Sequence, residues 1–359
     1  MRVKVRCAAL LAAAVAAMAC GGQAAVAAVA APVSVPSWHI VKRVSGGPNG
    51  IFTAVTAAGR NGGWAFDGNG RSTAWERNGS TWTRAPFPSL ANEVVVAAAA
   101  SSATNVWAFT DQLGKSRALR WNGQHWTVMR SFSRVIGGAV VLSSSNLWVF
   151  GQPIVPGANL GAWHYNGSTW TQVTSGHGLE GGSGLSSSDI WAFDGADVAH
   201  WNGSTWSRKS LASLLPAKQP LNNPALVGIF EQSRHSVYAI ANGQLQDEGG
   251  PLALLHWNGS TWSKVAGGNF GFGELQQVSS DGHGGLWLPM PGFDGQKSYL
   301  LHYSNGRLTQ AALPGGPQKI TVNAVALIPG TTQVLGAGDT HAAADQGSDV
   351  VGVILRYGS

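Results

Sequence analysis

The sequence predicts an all-β fold, a seven-bladed β-propeller with four-stranded blades, and two observations support this prediction. A phrase of the form x-Asn-Gly-x-x-Trp, most often x-Asn-Gly-Ser-Thr-Trp, occurs five times, at 77–82, 121–126, 165–170, 201–206 and 257–262, with a degenerate copy at 303–308. Asn-Gly between alternating aromatic segments is typical of a β-hairpin, because both residues tolerate the positive φ of a tight turn. The hairpin returns roughly every 45 residues, a period that indicates propeller blades.

Each repeat contains the same four predicted strands in the same order. A strand of small residues, such as 94–100, precedes a Ser-rich turn that ends in Asp or Asn, as at 186–189. An aromatic strand follows, for example Trp-Ala-Phe at 191–193. The third strand ends at the hairpin, and the fourth begins with the second Trp of the phrase. Turn residues bound each of these runs, as expected for consecutive strands.

The fourth strands give the number of blades. Their first residues lie 44, 44, 36, 56 and 46 positions apart, and they are Trp82, Trp126, Trp170, Trp206, Trp262 and Leu308. A seventh unit starts at 320, but the chain reaches Ser359 before a fourth strand begins. The segment 37–42 has the pattern of a fourth strand, and Trp38 lies 44 residues before Trp82. We therefore predict that the N-terminal strand closes the last blade, which removes an exposed sheet edge.

Side-chain size predicts where each strand lies within a blade. The first strands carry small residues at 97–100 and 137–139, which allow close approach around a central axis. Each Trp is large enough to fill the widening wedge between neighbouring blades, and burial of its ring removes roughly 150 to 250 Å² from water. We therefore expect the repeated aromatic residues to form the core.

Residues 1–31 are predicted to be a signal peptide and Ala-rich leader or tether. A basic start, an apolar run at 8–19 and a stretch of small residues are typical of a secretory signal. Cleavage is expected near 19/20 or at 27–31. Cys20, followed by two glycines, also resembles the start of a bacterial lipoprotein, in which Cys20 would carry lipid.

The rest of the chain is expected to comprise a short linker at 32–37 and a single propeller domain at 38–359. The leader predicts a protein that is secreted, or anchored to the outer face of the cell membrane as a lipoprotein. The chain has two Cys, and loss of Cys7 with the signal peptide leaves the mature protein at most one, so an internal disulfide is not expected. Burial and ring closure must then supply the stability.

Composition argues against a nucleic-acid partner and against a transmembrane segment. Three of the 23 basic side chains lie in the leader, which leaves 20 against 17 acidic side chains, scattered among turns. Nucleic-acid binding requires clustered Lys and Arg, so we expect no nucleic-acid partner. No second run of about 18 apolar residues occurs, so we expect no transmembrane segment. The closed array is expected to be a monomer.

The repeat pattern over 38–359 resembles bacterial secreted β-propellers of the kelch, sialidase-like and regulator-propeller kind. Ser-Ser-Asp-Gly-His-Gly-Gly-Leu-Trp at 279–287 is similar to the Asp-box turn of sialidase-type propellers, S-x-D-x-G-x-x-W, with one additional residue before the Gly. The other repeats lack that Gly. The resemblance therefore implies the fold and does not imply hydrolysis.

The sequence predicts no catalytic residue, metal site or cofactor. His164, His200, His256 and His302 recur near the end of the third strand. Equivalent positions on packed sheets lie about 10 Å apart, whereas zinc ligands lie within roughly 2.2 Å of the ion, so we expect these residues to form a polar outward face. No nucleophile paired with a base, no carboxylate pair and no phosphate-binding loop is evident.

The connections between strands predict where a binding site would be. Turns between the first and second strands, and between the third and fourth, are short and uniform, whereas the other connections are long and irregular. Strand direction alternates within a blade, so the two sets emerge on opposite faces. The irregular loop face is the expected site, because loops on a rigid scaffold carry recognition. Its candidate ligand-binding residues are Asp67, Arg71, Asp111, Lys115, Asp194, Asp247, Asp294, Lys297, Asp339 and His341.

Three functions are compatible with these features. The first is an exported, non-enzymatic binding or scaffold propeller whose irregular loop face recognises an extracellular or cell-envelope partner, either a protein or a glycan. The second is a lectin-like propeller that stacks sugars on its hairpin aromatics. The third is a sialidase-like or other glycoside hydrolase.

Overall fold

The computed structural model describes residues 36–45, 50–68, 73–88, 90, 92–112, 115–152, 161–173, 178–217, 224–243, 250–270, 275, 277–292, 297–316, 319–340 and 350–358. Within these ranges the strands form seven four-stranded antiparallel sheets, which confirms the predicted all-β propeller. A 3₁₀ turn at Ala212–Leu214 is the helical element of this part of the chain. No helix described there is long and apolar enough to cross a membrane.

The strands follow the blades in chain order after the first. Strand β1 (Ser37–Val44) belongs to blade 7. Blade 1 contains β2 (Phe52–Ala57), β3 (Gly62–Asp67), β4 (Thr73–Asn78) and β5 (Thr81–Ala85). Blade 2 contains β6 (Val94–Ser102), β7 (Asn105–Gln112), β8 (Lys115–Trp121) and β9 (Trp126–Phe132). Blade 3 contains β10 (Val135–Ser143), β11 (Asn146–Gln152), β12 (Ala162–Tyr165) and β13 (Trp170–Val173).

The remaining four blades repeat the pattern. Blade 4 contains β14 (Gly181–Ser186), β15 (Asp189–Asp194), β16 (Asp197–Trp201) and β17 (Trp206–Ser210). Blade 5 contains β18 (Ala225–Ser233), β19 (Ser236–Asn242), β20 (Pro251–Trp257) and β21 (Trp262–Asn269). Blade 6 contains β22 (Ser279–Ser280), β23 (Leu286–Met290), β24 (Tyr299–Ser304) and β25 (Arg307–Gln310). Blade 7 contains β26 (Ile320–Leu327), β27 (Val334–Thr340) and β28 (Val351–Gly358), and β1 is its fourth strand.

The N-terminal strand closes the ring as the sequence predicts. Strand β1 pairs antiparallel with β28, and Trp38 lies opposite Tyr357. On the inner side, Asn323 Nδ2 of β26 donates a 2.8 Å hydrogen bond to the carbonyl oxygen of Phe52 on β2. The first and last repeats are therefore joined directly, and blade 7 takes strands from both ends of the described chain.

The inner strands approach closely around a central cavity of about 350 Å³. A Cβ on Gly138 would lie 3.3 Å from the Cα of Gly181 in the next blade, so the sheets approach tightly at this point. Hydrogen bonds connect other neighbouring blades, including 2.6 Å from Thr53 Oγ1 to the Val95 carbonyl oxygen. The small residues of the first strands thus permit the expected close approach.

Aromatic side chains fill the spaces between blades in a repeated arrangement. The aromatic residue of a second strand contacts the two residues that flank the hairpin of the next blade. Trp64 lies 5.0 Å from Trp121 and 5.1 Å from Trp126, measured between ring centroids. Trp287 contacts Trp38 and Tyr357 in the same way, at 5.1 Å and 4.9 Å. The N-terminal strand therefore supplies an aromatic side chain that a complete hairpin supplies elsewhere.

The hairpins of blades 2 to 5 differ from the two-residue turn that Asn-Gly suggests, whereas those of blades 1 and 6 have two loop residues. In the hairpin of blade 3, Tyr165 pairs with Trp170, so the loop has four residues. Asn166 Oδ1 accepts hydrogen bonds from the backbone N–H groups of Ser168 and Thr169, at 3.0 and 2.8 Å. Because the Asn side chain closes the loop in this way, only the following Gly needs positive φ. The degenerate copy differs, since both Asn305 and the Gly after it have positive φ.

Candidate functional site

Asp67 lies at the end of β3 on the predicted irregular face, where it has a structural role. Its carboxylate accepts hydrogen bonds from Thr73 Oγ1 and, at 3.0 Å, from Trp75 Nε1. Burial raises the pKa of the Asp67 carboxyl, and these two hydrogen bonds oppose that rise. Asp67 is 5% exposed, and its carboxylate joins β3 to β4.

Three other predicted carboxylates lie at the ends of second strands in separate blades. Asp194 lies 3.6 Å from the guanidinium of Arg208. Asp339 is 6% exposed and lies within 3.3 Å of Asn323 Nδ2. Asp111 is half-buried, and its Oδ1 has no hydrogen-bond partner in the described part of the chain. These side chains lie on different blades, and the structure does not bring them together as one cluster.

The two predicted lysines are exposed, and a buried carboxylate that the sequence did not indicate lies near one of them. Lys115 and Glu93 line a cavity of about 340 Å³ at the edge of blade 2. Glu93 accepts a 2.6 Å hydrogen bond from Thr110 Oγ1 and forms a 2.8 Å ion pair with Arg117. Lys297 lies on blade 6, remote in sequence from this group.

The other predicted residues lie outside the described residues. They are Arg71, Asp247, Asp294 and His341 on the irregular loops, and Cys20 with the whole 1–31 segment. The assignment of the irregular face as the binding face therefore stays a prediction.

The recurring histidines are half-buried structural residues, which differs from the expected outward polar face. His302 stacks on Trp287 with ring centroids 4.0 Å apart, and its Nε2 lies 2.9 Å from Asp281 Oδ2. His200 stacks on Trp191 at 4.4 Å and pairs with Asp189 at 2.8 Å. The polar residue of the Ser-rich turn thus fixes the imidazole against the aromatic strand. Within the described residues, no group of His, Cys, Asp or Glu is suited to holding a metal ion.

A cavity of about 720 Å³ lies between the outer strands of blade 4 and the hairpin of blade 5. Its apolar wall contains Trp191, Trp257 and Trp262. Arg208, Lys209 and Arg234 also line it. Its size falls in the range of small-molecule sites, roughly 300 to 1,000 Å³, and its aromatic wall with a few polar groups is typical of such sites. We call it the blade 4/5 cavity.

Lys209 and Arg234 of the blade 4/5 cavity depart from the repeat, whereas the position of Arg208 also carries a cation in blades 1 and 5, Arg84 and Lys264. Lys209 follows the fourth-strand Trp by three residues, and every other blade has an uncharged residue at that position. Those residues are Val41, Ala85, Met129, Val173, Val265 and Ala311. Arg234 and His235 likewise replace Ser187 and Ser188 of the preceding blade's turn. Comparison of the repeats with one another, position by position, would have identified this interface from the sequence.

A buried carboxyl pair lies beside the blade 4/5 cavity. Glu231 is 2% exposed on the innermost strand β18. Burial first, and then the neighbouring Asp189 carboxylate, raises the pKa of Glu231 to about 8. Asp189 in turn contacts His200, and also Arg234 at 3.4 Å. The Glu231 carboxyl, with its pKa near 8, therefore keeps its proton at neutral pH.

Comparisons with known proteins support the fold alone. No protein-family model and no curated protein sequence matches the chain. Among solved structures, YCF48 bound to D1 peptide is 13% identical, with a TM-score of 0.58 over 91% of this chain and 98% of that one. YCF48 from Cyanidioschyzon merolae is 12% identical, with a TM-score of 0.56 over 90% and 99% of the two chains. The WD40 β-propeller domain of Doa1 is 9% identical, with a TM-score of 0.59 over 89% and 96%. At these identities, the chain is similar to them as a β-propeller.

Proposed function

We propose that the protein is an exported, non-enzymatic binding propeller whose irregular loop face recognises an extracellular or cell-envelope partner. The observation that carries this proposal is the closed ring itself, in which both ends of the described chain pair in blade 7. A rigid ring holds its loops in fixed positions, and loops on such a scaffold commonly carry recognition. One propeller of similar fold was solved with a bound peptide, which supports a protein partner.

Export is the second part of the proposal. The basic start, apolar run and small residues of 1–31 support secretion. Cys20, followed by two glycines, supports the lipid-anchored form on the outer face of the membrane. The monomeric state is proposed with it, because ring closure leaves blade 7 a complete four-stranded sheet.

Site-specific photo-cross-linking on intact cells tests the proposed face. A photoreactive residue replaces Lys115 or Lys297, both of which are exposed and belong to the irregular loop face. The matched control replaces Ser168 or Gln124, which are exposed on the hairpins of the opposite face. We expect the same adduct from both lysine positions and none from the hairpin positions. An adduct confined to the hairpin positions would contradict the choice of face.

A glycoside hydrolase is less well supported by the described carboxyl groups. Such enzymes present two carboxyl groups to the sugar, about 5 to 9.5 Å apart. Asp189 and Glu231 are adjacent, but both side chains are buried, and Asp189 is engaged by His200 and Arg234. We expect no turnover of chromogenic glycosides. Turnover that is lost on substitution of a carboxylate on the loop face would overturn the non-enzymatic assignment.

The hairpin aromatics are also poor candidates for a repeated sugar site. Trp126 is 9% exposed because it packs on Trp64, and Trp170 packs on Trp107 of the preceding blade. Rings held in this way between blades are part of the core. A lectin-like function would therefore need a site with open space beside the rings.

A further inference from the structure

We propose that the blade 4/5 cavity binds an acidic sugar, that is, a pyranose ring that carries a carboxylate. This site is separate from the irregular loop face, and the inference does not depend on recognition there. Shape, charge and comparison with the other blades each support it.

The shape of the cavity suits a compact ring. Three Trp side chains, Trp191, Trp257 and Trp262, contribute to its wall, together with Val198. Trp257 is only partly buried, unlike Trp191 and Trp262. The face of Trp191 is covered by His200, so the partly exposed Trp257 ring is the flat apolar surface available to the C–H face of a sugar. A volume of about 720 Å³ accommodates a mono- or disaccharide and its water.

The charge of the lining favours an anion. Lys209 is exposed and has no ion pair among the described residues. The Arg234 side chain is 72% exposed. Its ion pair among the described residues is with Asp189, whose carboxylate lies 3.4 Å from Nε. Arg208 is balanced by Asp194 at 3.6 Å. Lys209 therefore lines the cavity without an ion-pair partner among the described residues, and a carboxylate ligand would supply one.

The neighbouring interface shows that packing does not require these charges. Blade 3 and blade 4 meet through the same aromatic contacts, because Trp148 packs on Trp201 and Trp206. The positions there that correspond to Asp189, Arg208, Lys209, Arg234 and His235 are all uncharged, and they are Asn146, Gln172, Val173, Ser187 and Ser188. The same fold thus forms an interblade contact without charged residues at these five positions. The charges at the blade 4/5 cavity are better explained by a ligand than by stability.

An acidic sugar is favoured over an acidic peptide by the same features. Asn202 and Ser207 line the cavity beside the rings and supply the short hydrogen-bonding groups that sugar hydroxyls need. The Asn202 side-chain oxygen is already used in its own hairpin loop, which leaves its amide N–H₂ as a donor. An extended acidic peptide would need several cations arranged in a line, whereas the cations of this cavity lie together at one place.

Calorimetric titration of the full protein with methyl β-glucuronide and methyl β-glucoside tests the proposal. The two probes share one pyranose ring and differ by the carboxylate. We expect saturable binding of the glucuronide, with an affinity about tenfold above that of the glucoside, because a charge-assisted contact is present only in the first. High salt should reduce this preference.

Variants that restore the residues of the preceding interface locate the site. Lys209→Val combined with Arg234→Ser should abolish the preference for the glucuronide over the glucoside. Lys264→Val, which removes an exposed lysine from the fourth strand of blade 5, is the matched control and should bind like wild type. Thermal melting of each variant reports whether it remains folded.

Any one of four results would overturn the proposal. The first is the absence of saturable glucuronide binding, and the second is equal affinity for the two glycosides. The third is a glucuronide preference that survives in the folded double variant. Competition by a Glu-rich peptide at equal or higher affinity would assign the cavity to a peptide instead. None of these results would alter cross-linking from the irregular loop face, so the two proposals fail independently.

Discussion

Glu231 provides a quantitative test of how charge is buried between blades 4 and 5. It occupies a position that holds a small or apolar residue in every other blade. Those residues are Ala57, Ala100, Val141, Gly184, Ser280 and Leu327. Burial and the Asp189 carboxylate raise the pKa of Glu231 from 4.5 to about 8. Replacement by Gln keeps the shape of the side chain and removes its ionisation.

The direction of the effect follows from proton linkage. Between pH 4.5 and about 8 the folded protein keeps the Glu231 proton while the unfolded chain releases it. Stability from this group is therefore complete below pH 4.5 and is lost as pH rises toward 8. Each pH unit inside this window costs about 1.4 kcal/mol, so the range from pH 5 to pH 7 costs wild type about 2 to 3 kcal/mol.

Urea unfolding of wild type and Glu231→Gln at constant ionic strength, from pH 5 to pH 8, measures this cost. The other titrating groups are shared, so the difference between the two proteins isolates Glu231. We expect the variant to gain about 2 to 3 kcal/mol on wild type between pH 5 and pH 7. A difference that stays constant across this range would refute the buried, protonated Glu231.

Three further predictions concern the core, the turns and the leader. Trp126→Ala should lower the free energy of unfolding by about 3 to 5 kcal/mol, because the Trp126 ring packs on Trp64. Urea titration measures this loss, and an unchanged value would contradict the place of Trp126 in the core. Asp281→Asn should lower the free energy of unfolding by about 1 to 3 kcal/mol at pH 7. Burial alone would raise the pKa of the Asp281 carboxyl, but hydrogen bonds from His302 and two backbone N–H groups outweigh it and lower the pKa. The deficit should shrink as pH falls through the depressed pKa, and a pH-independent deficit would refute the charge-based explanation. Mass spectrometry of the mature N-terminus should show either a lipid on Cys20 or cleavage within 27–31, and an intact 1–31 segment would contradict export.

The repeat phrase predicts the fold because its residues carry the packing. The Trp after each Asn-Gly begins a fourth strand and also packs against the preceding blade, so its spacing reports both strand order and blade number. Trp38 has the same place in the sequence pattern and the same contacts, with Trp287 and Tyr357. Closure of the ring by the N-terminal strand was therefore predictable from the sequence.

The details of turns and sites were less accessible to sequence reasoning. Asn166 closes its loop through its side chain, so the hairpin has four loop residues where backbone propensity alone suggests two. The stacking of His302 on Trp287 joins two different strands and a turn, and spacing along one strand does not reveal it. The blade 4/5 cavity was marked in the sequence by Lys209 and Arg234. These two charges stand out only when each repeat is compared with its neighbours, because neither belongs to a familiar motif.

Removal of the first strand tests the closed ring most directly. The comparison is between a chain that begins at residue 36 and one that begins at residue 45, both without the leader. The second chain loses the whole of β1, including Trp38, which is 4% exposed, and all of its pairing with β28. We expect a single cooperative unfolding transition at lower urea in the shorter chain, with a loss above about 4 kcal/mol, and recovery on addition of the peptide 36–45. Equal unfolding midpoints for the two chains would contradict closure by the N-terminal strand.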